Sequence, residues 1–167
     1  ELCKTNPVQV GDVIYGVDFG YNAPTAVLKL VVGEADCYVK EELFETKLTN
    51  SDLIRRLDMI IPPDDRRRFR VYADNAEPNR IEEINRAGFN CLPCEKANIA
   101  SGVDRVKKYR LWIDEYSIET LKEIRNYAWK KDRSGHEIDV PIEFNDHAMD
   151  SLRYALATFD LNRSDGR

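Results

Sequence analysis

The hydrophobic positions along the chain form strand-like runs in its first third and recur at helical spacing afterwards. Three β-branched, apolar runs are separated only by short segments rich in Gly, Pro, Asn and Asp, which predicts three consecutive antiparallel strands. These runs occupy residues 13–20, 25–32 and 37–44. Between residues 49 and 61 the apolar side chains recur at helical spacing, and Pro62-Pro63 ends the predicted helix.

The remainder of the pattern alternates helices with short strands. The apolar run at residues 69–74 follows a helix, so we expect its strand to pair in parallel with the first strand through a crossover connection. The next predicted elements are a helix from Pro78 to Gly88, a strand at 89–92, and a helix that Ser101 caps and that runs to about 109. A strand at 111–113, a helix capped by Ser117, a hairpin at 127–141 and a helix at 145–160 complete the list. Together they predict an α/β fold with a mixed sheet of five or more strands, three antiparallel and the others parallel, flanked by helices.

The chain length of 167 residues fits one domain, which we place at residues 13–160. Residues 1–12 lack periodicity and are expected to be a linker or a cut end, and residues 161–167 are expected to form a disordered polar tail. No apolar run approaches the roughly 20 residues that span a bilayer, and the N-terminal residues lack the apolar region of a signal peptide. We therefore expect no membrane association.

Composition and charge favour a globular intracellular protein with modest affinity for nucleic acid. The chain is 43% hydrophobic, which is enough for a core, and 33% charged. Its formal net charge of −5 opposes phosphate binding, although basic residues cluster at 66–70 and 105–110 and can form a local positive face. Of the four cysteines only Cys91 and Cys94 have ligand-like spacing, so all four are expected to be reduced thiols.

Carboxylates end two of the predicted strands and begin the last predicted helix. Asp18 and Asp74 each close an apolar strand, where an unpaired buried charge is costly unless it holds a metal or a phosphate. Asp146 and Asp150 lie four residues apart and share one helical face, with His147 on the adjacent side. Carboxylates gathered this closely repel one another, and hard divalent cations relieve that repulsion. All-oxygen ligands favour Mg²⁺ or Mn²⁺ over zinc.

Such a cluster suggests a particular chemistry. Two divalent ions about 3.5–4 Å apart form the usual apparatus for phosphodiester hydrolysis, in which one ion activates a water and the other stabilises the leaving oxygen. This chemistry needs no protein nucleophile, and the sequence has neither a Gly-x-Ser-x-Gly motif nor an evident catalytic cysteine.

Three sequence elements carry a family resemblance that covers nearly the whole chain. They are Gly-Val-Asp-Phe-Gly-Tyr at 16–21, Tyr-Ala-Asp-Asn-Ala-Glu-Pro at 72–78 and Asn-Asp-His-Ala-Met-Asp-Ser-Leu-Arg-Tyr-Ala at 145–155. In this order and spacing they resemble the nuclease domain of the large terminase subunit of tailed bacteriophages, and the combination is far more specific than any element alone. The resemblance implies a ribonuclease H-like fold and a metal-dependent endonuclease that cuts concatemeric double-stranded viral DNA in the host cytoplasm.

The resemblance also implies roles for single residues. Asp18, Asp74 and Asp150 match the family's metal-binding acids, and His147 matches a nearby position that assists metal binding or proton transfer. Further candidates are Glu77 and Asp146 as auxiliary residues and Lys96 and Arg153 as DNA contacts. Structural interpretations remain open: Asp146 as a residue favoured by the helix dipole, His147 as a capping residue, and Arg153 as an ion-pair partner of Asp150 or Asp146.

The family's full-length subunit begins with an ATPase motor, whereas this chain has no Gly-x-x-x-x-Gly-Lys-Ser/Thr loop. We therefore interpret the chain as an isolated C-terminal domain, whose implied partners are viral DNA, the terminase ATPase domain, the small terminase subunit and the portal. A Holliday-junction resolvase or integrase-like nuclease would share the fold, and a non-catalytic docking module for the portal or small subunit is a further alternative. The Gly16–Gly20 segment also resembles the phosphate loop of sugar kinases, but that fold needs two domains and a second glycine-rich loop.

Overall fold

The computed structural model describes residues 1–95, 99–126, 129–131, 137–141, 146–164 and 166, with the backbone alone described for 129–131 and 137–141. The strands of the main sheet are β1 (Leu2–Cys3), β2 (Asp12–Asp18), β3 (Thr25–Val32), β4 (Asp36–Glu45), β5 (Arg70–Ala73), β6 (Asn90–Pro93) and β7 (Arg110–Asp114). A separate two-stranded sheet joins β8 (Trp129–Lys131) and β9 (Glu137–Pro141). The helices are α1 (Asn50–Ile60), α2 (Pro78–Arg86), α3 (Ile99–Val106), α4 (Ile118–Asn126) and α5 (His147–Ser164), and Pro63–Asp65 form a 3₁₀ turn.

The main sheet has the order β1-β7-β4-β3-β2-β5-β6. Strands β2, β3 and β4 form an antiparallel meander, and β5 pairs with β2 in parallel, with Ala73 opposite Val17. Strand β6 extends the sheet in parallel beside β5, and β7 runs parallel to both β4 and β1. The predicted mixed α/β sheet is confirmed. Its parallel β2–β5 pair places the strand ends at Asp18 and Asp74 side by side.

Different helices cover the two faces of the sheet. On one face the buried strand residues pack against α5, and on the other they pack against α1 and α2. The α5 side includes Ile14, Leu28, Tyr72, Leu152 and Leu156, and the opposite side includes Tyr15, Val27, Val71, Leu53, Leu57 and Ile84. The adjacent residues Ile14 and Tyr15 belong to different cores because successive side chains of a strand point to opposite faces.

The ends of α1 and α2 follow local sequence signals. Thr49 and Asp52 form a capping box, in which the Thr49 amide donates to Asp52 Oδ2 at 2.9 Å and the Asp52 amide donates to Thr49 Oγ1 at 3.2 Å. Helix α2 begins at Pro78, which suits a first turn, and is followed by Gly88 with a φ of 104°.

The structure differs from the sequence predictions at several boundaries. Residues 161–164 belong to α5 instead of the predicted disordered tail, because Ser164 Oγ donates to the Asp160 carbonyl at 2.8 Å and Arg163 Nη1 donates to the Gly33 carbonyl at 3.2 Å. Within the predicted linker of residues 1–12, Leu2–Cys3 pairs in parallel with β7.

Two further predictions concern the second half of the chain. Ser101 was predicted to cap a helix, but α3 already begins at Ile99, so Ser101 lies inside it. The predicted hairpin is present as the antiparallel β8–β9 pair, while its turn at 132–135 lies outside the described residues. All four cysteines are free, as expected. None of the described helices combines the length and apolar character needed to cross a bilayer.

Candidate metal centre

Asp18 is the last residue of β2 and is only 8% exposed. The loop that follows it is closed by Thr25, which accepts a hydrogen bond from the Gly20 amide at 3.1 Å and donates one to the Gly20 carbonyl at 2.8 Å. A buried strand end and a fixed loop therefore hold the Asp18 carboxylate in one place.

Helix α5 reaches this strand end because β2 contains Gly16. A Cβ atom at Gly16 would lie 2.1 Å from the Ser151 carbonyl oxygen, so only glycine permits the helix backbone to approach this closely. The contact lies one residue from Asp150. The strand glycine therefore places the first turns of α5 directly beside Asp18.

His147, the first residue of α5, makes the most direct contact with Asp18. Its Nδ1 lies 2.9 Å from Asp18 Oδ2, and its ring lies against Phe44 with centroids 6.4 Å apart. Burial raises the pKa of Asp18 to about 6, the hydrogen bond from His147 opposes this, and the carboxylates of Asp150 and Asp74 raise it further. The same hydrogen bond raises the pKa of His147.

Asp150 is held by an arginine in this structure. Arg153 Nη2 donates to Asp150 Oδ1 at 2.6 Å, and its guanidinium lies over the Tyr154 ring. Gly102 of α3 makes room for Arg153, since a Cβ there would lie 2.9 Å from Arg153 Cγ and Cδ. The pKa of Asp150 is raised because burial outweighs the arginine.

Asp74 lies at the end of the neighbouring strand, directly after β5. The carboxylate is half-buried, and its Oδ1 accepts a hydrogen bond from the Ala76 amide at 2.9 Å. The adjacent Asn75 fixes the turn by donating from Nδ2 to the Cys94 carbonyl at 3.1 Å. The three predicted acids thus lie at the same edge of the sheet, where the charges of Asp150 and Asp74 contribute to the raised pKa of Asp18.

Comparison with known proteins settles the family. The family model described as the terminase RNase H-like domain matches residues 18–158, which include both strand ends and the first two thirds of α5. The chain belongs to this family. No match is found among curated protein sequences.

Solved structures share the fold of this terminase domain. The large terminase (g2p) nuclease domain of bacteriophage SPP1, solved with bound Mn, is 17% identical, with a TM-score of 0.76 over 97% of this chain and 96% of that one. The nuclease domain of the P22 large terminase is also 17% identical, with a TM-score of 0.68 over 96% and 91% of the two chains. A large terminase of a thermophilic bacteriophage, in complex with ADP, is 21% identical with a TM-score of 0.75. The match covers 92% of this chain but only 40% of that longer protein. The ribonuclease H-like fold is therefore confirmed.

The carboxylates of Asp18, Asp74 and Asp150 are suitable ligands for a hard divalent cation, but they are not arranged around a common point. Within the described part of the chain, no group of three His, Cys, Asp or Glu side chains is arranged to hold a metal ion. Two of the acids already have a partner, since Arg153 donates to Asp150 and His147 Nδ1 lies 2.9 Å from Asp18 Oδ2. The carboxylate chemistry and the raised pKa of the buried Asp18 fit a cation, provided that it displaces Arg153 from Asp150.

The remaining predicted site residues are the auxiliary candidates Asp146 and Glu77 and the DNA-contact candidates Lys96 and Arg153. Asp146 precedes α5, and its carbonyl accepts from the Asp150 amide at 2.7 Å, as in the first turn of a helix. Glu77 is exposed and precedes α2, where its carbonyl accepts from the amides of Arg80 and Ile81. Lys96 lies outside the described residues. The pairing of Arg153 with Asp150 agrees with the structural interpretation of that arginine.

Sequence reasoning missed Glu123 of α4. This buried carboxylate accepts hydrogen bonds from the backbone amides of Ala148 and Met149 at the start of α5. Glu123 and His147 also line one cavity of about 430 Å³. A single acid in a short amphipathic helix gives no sequence signal for such a contact, because its partners are backbone groups 25 and 26 residues away.

Proposed function

We propose that this domain is the nuclease of a terminase large subunit and cuts concatemeric double-stranded viral DNA by metal-dependent hydrolysis of phosphodiester bonds. The observation that carries the proposal is the buried Asp18 carboxylate, whose pKa is raised to about 6 by burial and by two further acids at the same sheet edge. Solved relatives of the same fold bind Mn, Co and Mg. Both facts support a cation site at Asp18, Asp74 and Asp150.

Each residue of the centre has a distinct part in the proposal. Asp18, Asp74 and Asp150 would hold Mg²⁺ or Mn²⁺, which when bound supplies Lewis-acid stabilisation and an activated water. His147 orients the Asp18 carboxylate through the 2.9 Å contact between its Nδ1 and Asp18 Oδ2. Arg153 supplies positive charge beside the acids, in a chain of net charge −5, and so offers a contact for a DNA phosphate.

Cleavage assays test the proposal. Purified domain with Mn²⁺ or Mg²⁺ is expected to cut supercoiled and linear double-stranded DNA with little sequence preference, and chelation should stop the reaction. Asp18→Asn, Asp74→Asn and Asp150→Asn should each abolish cutting. Asp36→Asn is the matched control, because Asp36 is a half-buried partner of Arg110 at the opposite end of the sheet.

Specific outcomes would replace the proposal. Full activity in any of the three site variants would reject the assigned centre. Cutting confined to branched DNA would favour a resolvase-like nuclease, and failure of the wild type to bind Mn²⁺ in calorimetry would favour a non-catalytic docking module. The calorimetric stoichiometry also tests the expectation of two ions.

The packaging context is part of the proposal. The chain spans 40% of a full large terminase of the same fold, so the ATPase domain of such a protein is the expected neighbour. The small terminase subunit and the portal are the further expected partners, in the host cytoplasm. Co-purification of this domain with a separately expressed ATPase domain, small subunit or portal checks each association.

A further inference from the structure

Helix α5 is capped by a residue from another helix. The Ala148 amide donates to Glu123 Oε2 at 2.7 Å, and the Met149 amide donates to the same oxygen at 3.0 Å. Ala148 and Met149 are the second and third residues of α5, and amides at these positions have no acceptor within the helix. They normally donate to the side chain of the residue that directly precedes the helix. Here the carboxylate comes from α4 instead of from Asp146. Glu123 therefore fixes α5 to α4 as well as capping it.

The position of Glu123 is itself fixed from β4. Glu41 Oε2 accepts hydrogen bonds from the Thr120 amide at 2.7 Å and from Thr120 Oγ1 at 2.8 Å. The Glu41 amide in turn donates to Ser117 Oγ at 2.8 Å. Ser117 and Thr120 are completely buried, so α4 is anchored one turn before Glu123. Two successive carboxylate caps thus connect β4 to α4 and α4 to α5.

Burial of Glu123 is costly, which shows that the contact is more than a surface cap. The side chain is 7% exposed, and among the described residues its Oε1 is one of the few buried side-chain atoms with no hydrogen-bond partner. An ordinary cap on a helix end is solvated and does not bury a partly unpaired charge. Because Glu123 belongs to α4, its two hydrogen bonds connect the first turn of α5 to that helix.

We propose that Glu123 is a positioning residue, which sets the first turn of α5 and so places His147 and Asp150 against Asp18. This inference rests on the proposed function, because it assigns Glu123 a role at the same centre. His147 directly precedes the two capped amides and Asp150 directly follows them. Any shift of this turn therefore moves both side chains relative to the fixed end of β2.

Three substitutions separate positioning from charge and from general stability. Glu123→Ala removes the cap, Glu123→Asp shortens it, and Glu123→Gln keeps an oxygen that can accept from both amides. Glu119→Gln is the matched control, because Glu119 lies one turn earlier on α4, lines the same cavity and pairs at the surface with Lys122. Each variant is compared by calorimetric Mn²⁺ binding without DNA, by hydrogen exchange of the Ala148 and Met149 amides in metal-free protein, and by DNA cutting.

We expect the Ala148 and Met149 amides to exchange faster in Glu123→Ala, and Mn²⁺ affinity and cutting to fall by about 10–100-fold, as for other residues that orient metal ligands. Glu123→Asp should show a smaller loss of Mn²⁺ affinity and cutting, and Glu123→Gln should keep most of both. Glu119→Gln should match the wild type in all three measurements. Unchanged Mn²⁺ affinity in a folded Glu123→Ala would overturn the inference. If that variant does not fold, unchanged affinity in Glu123→Asp would do so.

The readouts also separate this inference from the proposed function. A wild type that neither binds Mn²⁺ nor cuts DNA would remove the proposed function, while amide exchange would still report whether Glu123 holds the first turn of α5. Wild-type exchange at Ala148 and Met149 in both Glu123→Ala and Glu123→Asp would reject positioning by Glu123, whatever the domain does to DNA.

Discussion

One buried aspartate lies beside the start of α5 and another lies within the helix near its end, and their pKa values are shifted in opposite directions. Asp18, beside the start of the helix, and Asp160, near its end, are both 8% exposed. Asp160 accepts hydrogen bonds from Arg105 at 2.7 Å, Lys108 at 3.2 Å and Tyr109 at 3.0 Å. Burial alone would raise its pKa, but these donors outweigh burial and the pKa of Asp160 is lowered.

Asp18 has fewer hydrogen-bond donors than Asp160 at the same exposed fraction, and it lies deeper among protein atoms. It bonds to His147, and its pKa rises to about 6 because burial and the neighbouring acids Asp150 and Asp74 outweigh that bond. The comparison teaches that burial does not by itself mark a functional carboxylate. A carboxylate with several cationic donors connects elements of the fold, whereas one surrounded by other acids is left with negative charge that a cation can neutralise.

Exchanging each aspartate for asparagine gives the largest contrast. Asp18→Asn should abolish DNA cutting, a loss of more than about 10³-fold, without lowering the melting temperature at pH 7, because it removes a buried charge that lacks full compensation. Asp160→Asn should cut DNA normally at low temperature but lose roughly 2 kcal/mol of unfolding free energy, because its charged donors lose their partner. Initial cutting rates and urea denaturation measure the two effects.

Two results would contradict this contrast between Asp18 and Asp160. An Asp18→Asn protein that loses stability and keeps its activity would assign Asp18 to the fold, as Asp160 is assigned here. Loss of cutting in a fully folded Asp160→Asn at low temperature would extend the active region to the far end of α5.

Gly16→Ala tests the packing that brings α5 to Asp18. The added Cβ would lie 2.1 Å from the Ser151 carbonyl, and backbone cannot yield as a flexible side chain does, so we expect a loss of about 3 kcal/mol together with weaker Mn²⁺ binding. Gly88→Ala is the control. Nothing lies within 4 Å of a Cβ at Gly88, and its cost of about 1 kcal/mol should come only from its φ of 104° and leave Mn²⁺ binding unchanged. Equal effects of the two substitutions on Mn²⁺ binding would show that the contact at Gly16 does not position the centre.

The pH dependence of stability gives a smaller effect with a definite sign. The folded protein raises the pKa of Asp18 to about 6 and that of Glu123 to about 7, mainly through burial. Between about pH 4 and pH 7 the folded state therefore holds protons that the unfolded chain releases, so the unfolding free energy should fall as pH rises. Urea denaturation in chelator should show a decrease on the order of 2 kcal/mol, which Asp18→Asn reduces.

Saturating Mn²⁺ should remove the Asp18 contribution to this slope and leave that of Glu123. Cation binding competes with the proton at Asp18, so its apparent affinity should increase as pH rises through 6. A metal-free protein whose stability increases steadily from pH 4 to pH 7 would contradict the raised pKa values.

The sequence predicts the fold and the acids better than it predicts their partners. The three-strand meander and the parallel β2–β5 pair follow from apolar runs and short turns, and Asp18 and Asp74 lie at strand ends because those runs stop there. Residues such as Glu123 and Asp160 could not be found in this way, since their partners lie 25 or more residues distant and become neighbours only when the helices pack. The helical segment 161–164 was missed because its polar residues are stabilised by contacts such as that of Arg163 with the Gly33 carbonyl.

The most direct test of the account is a crystal structure of the domain at saturating Mn²⁺, with the ion located by its anomalous signal. The account predicts Mn²⁺ bound by oxygen atoms of Asp18, Asp74 and Asp150, with Arg153 displaced from Asp150 and the Glu123 cap on α5 retained. A structure with no anomalous peak among the three aspartates, and with Arg153 still paired to Asp150, would contradict it.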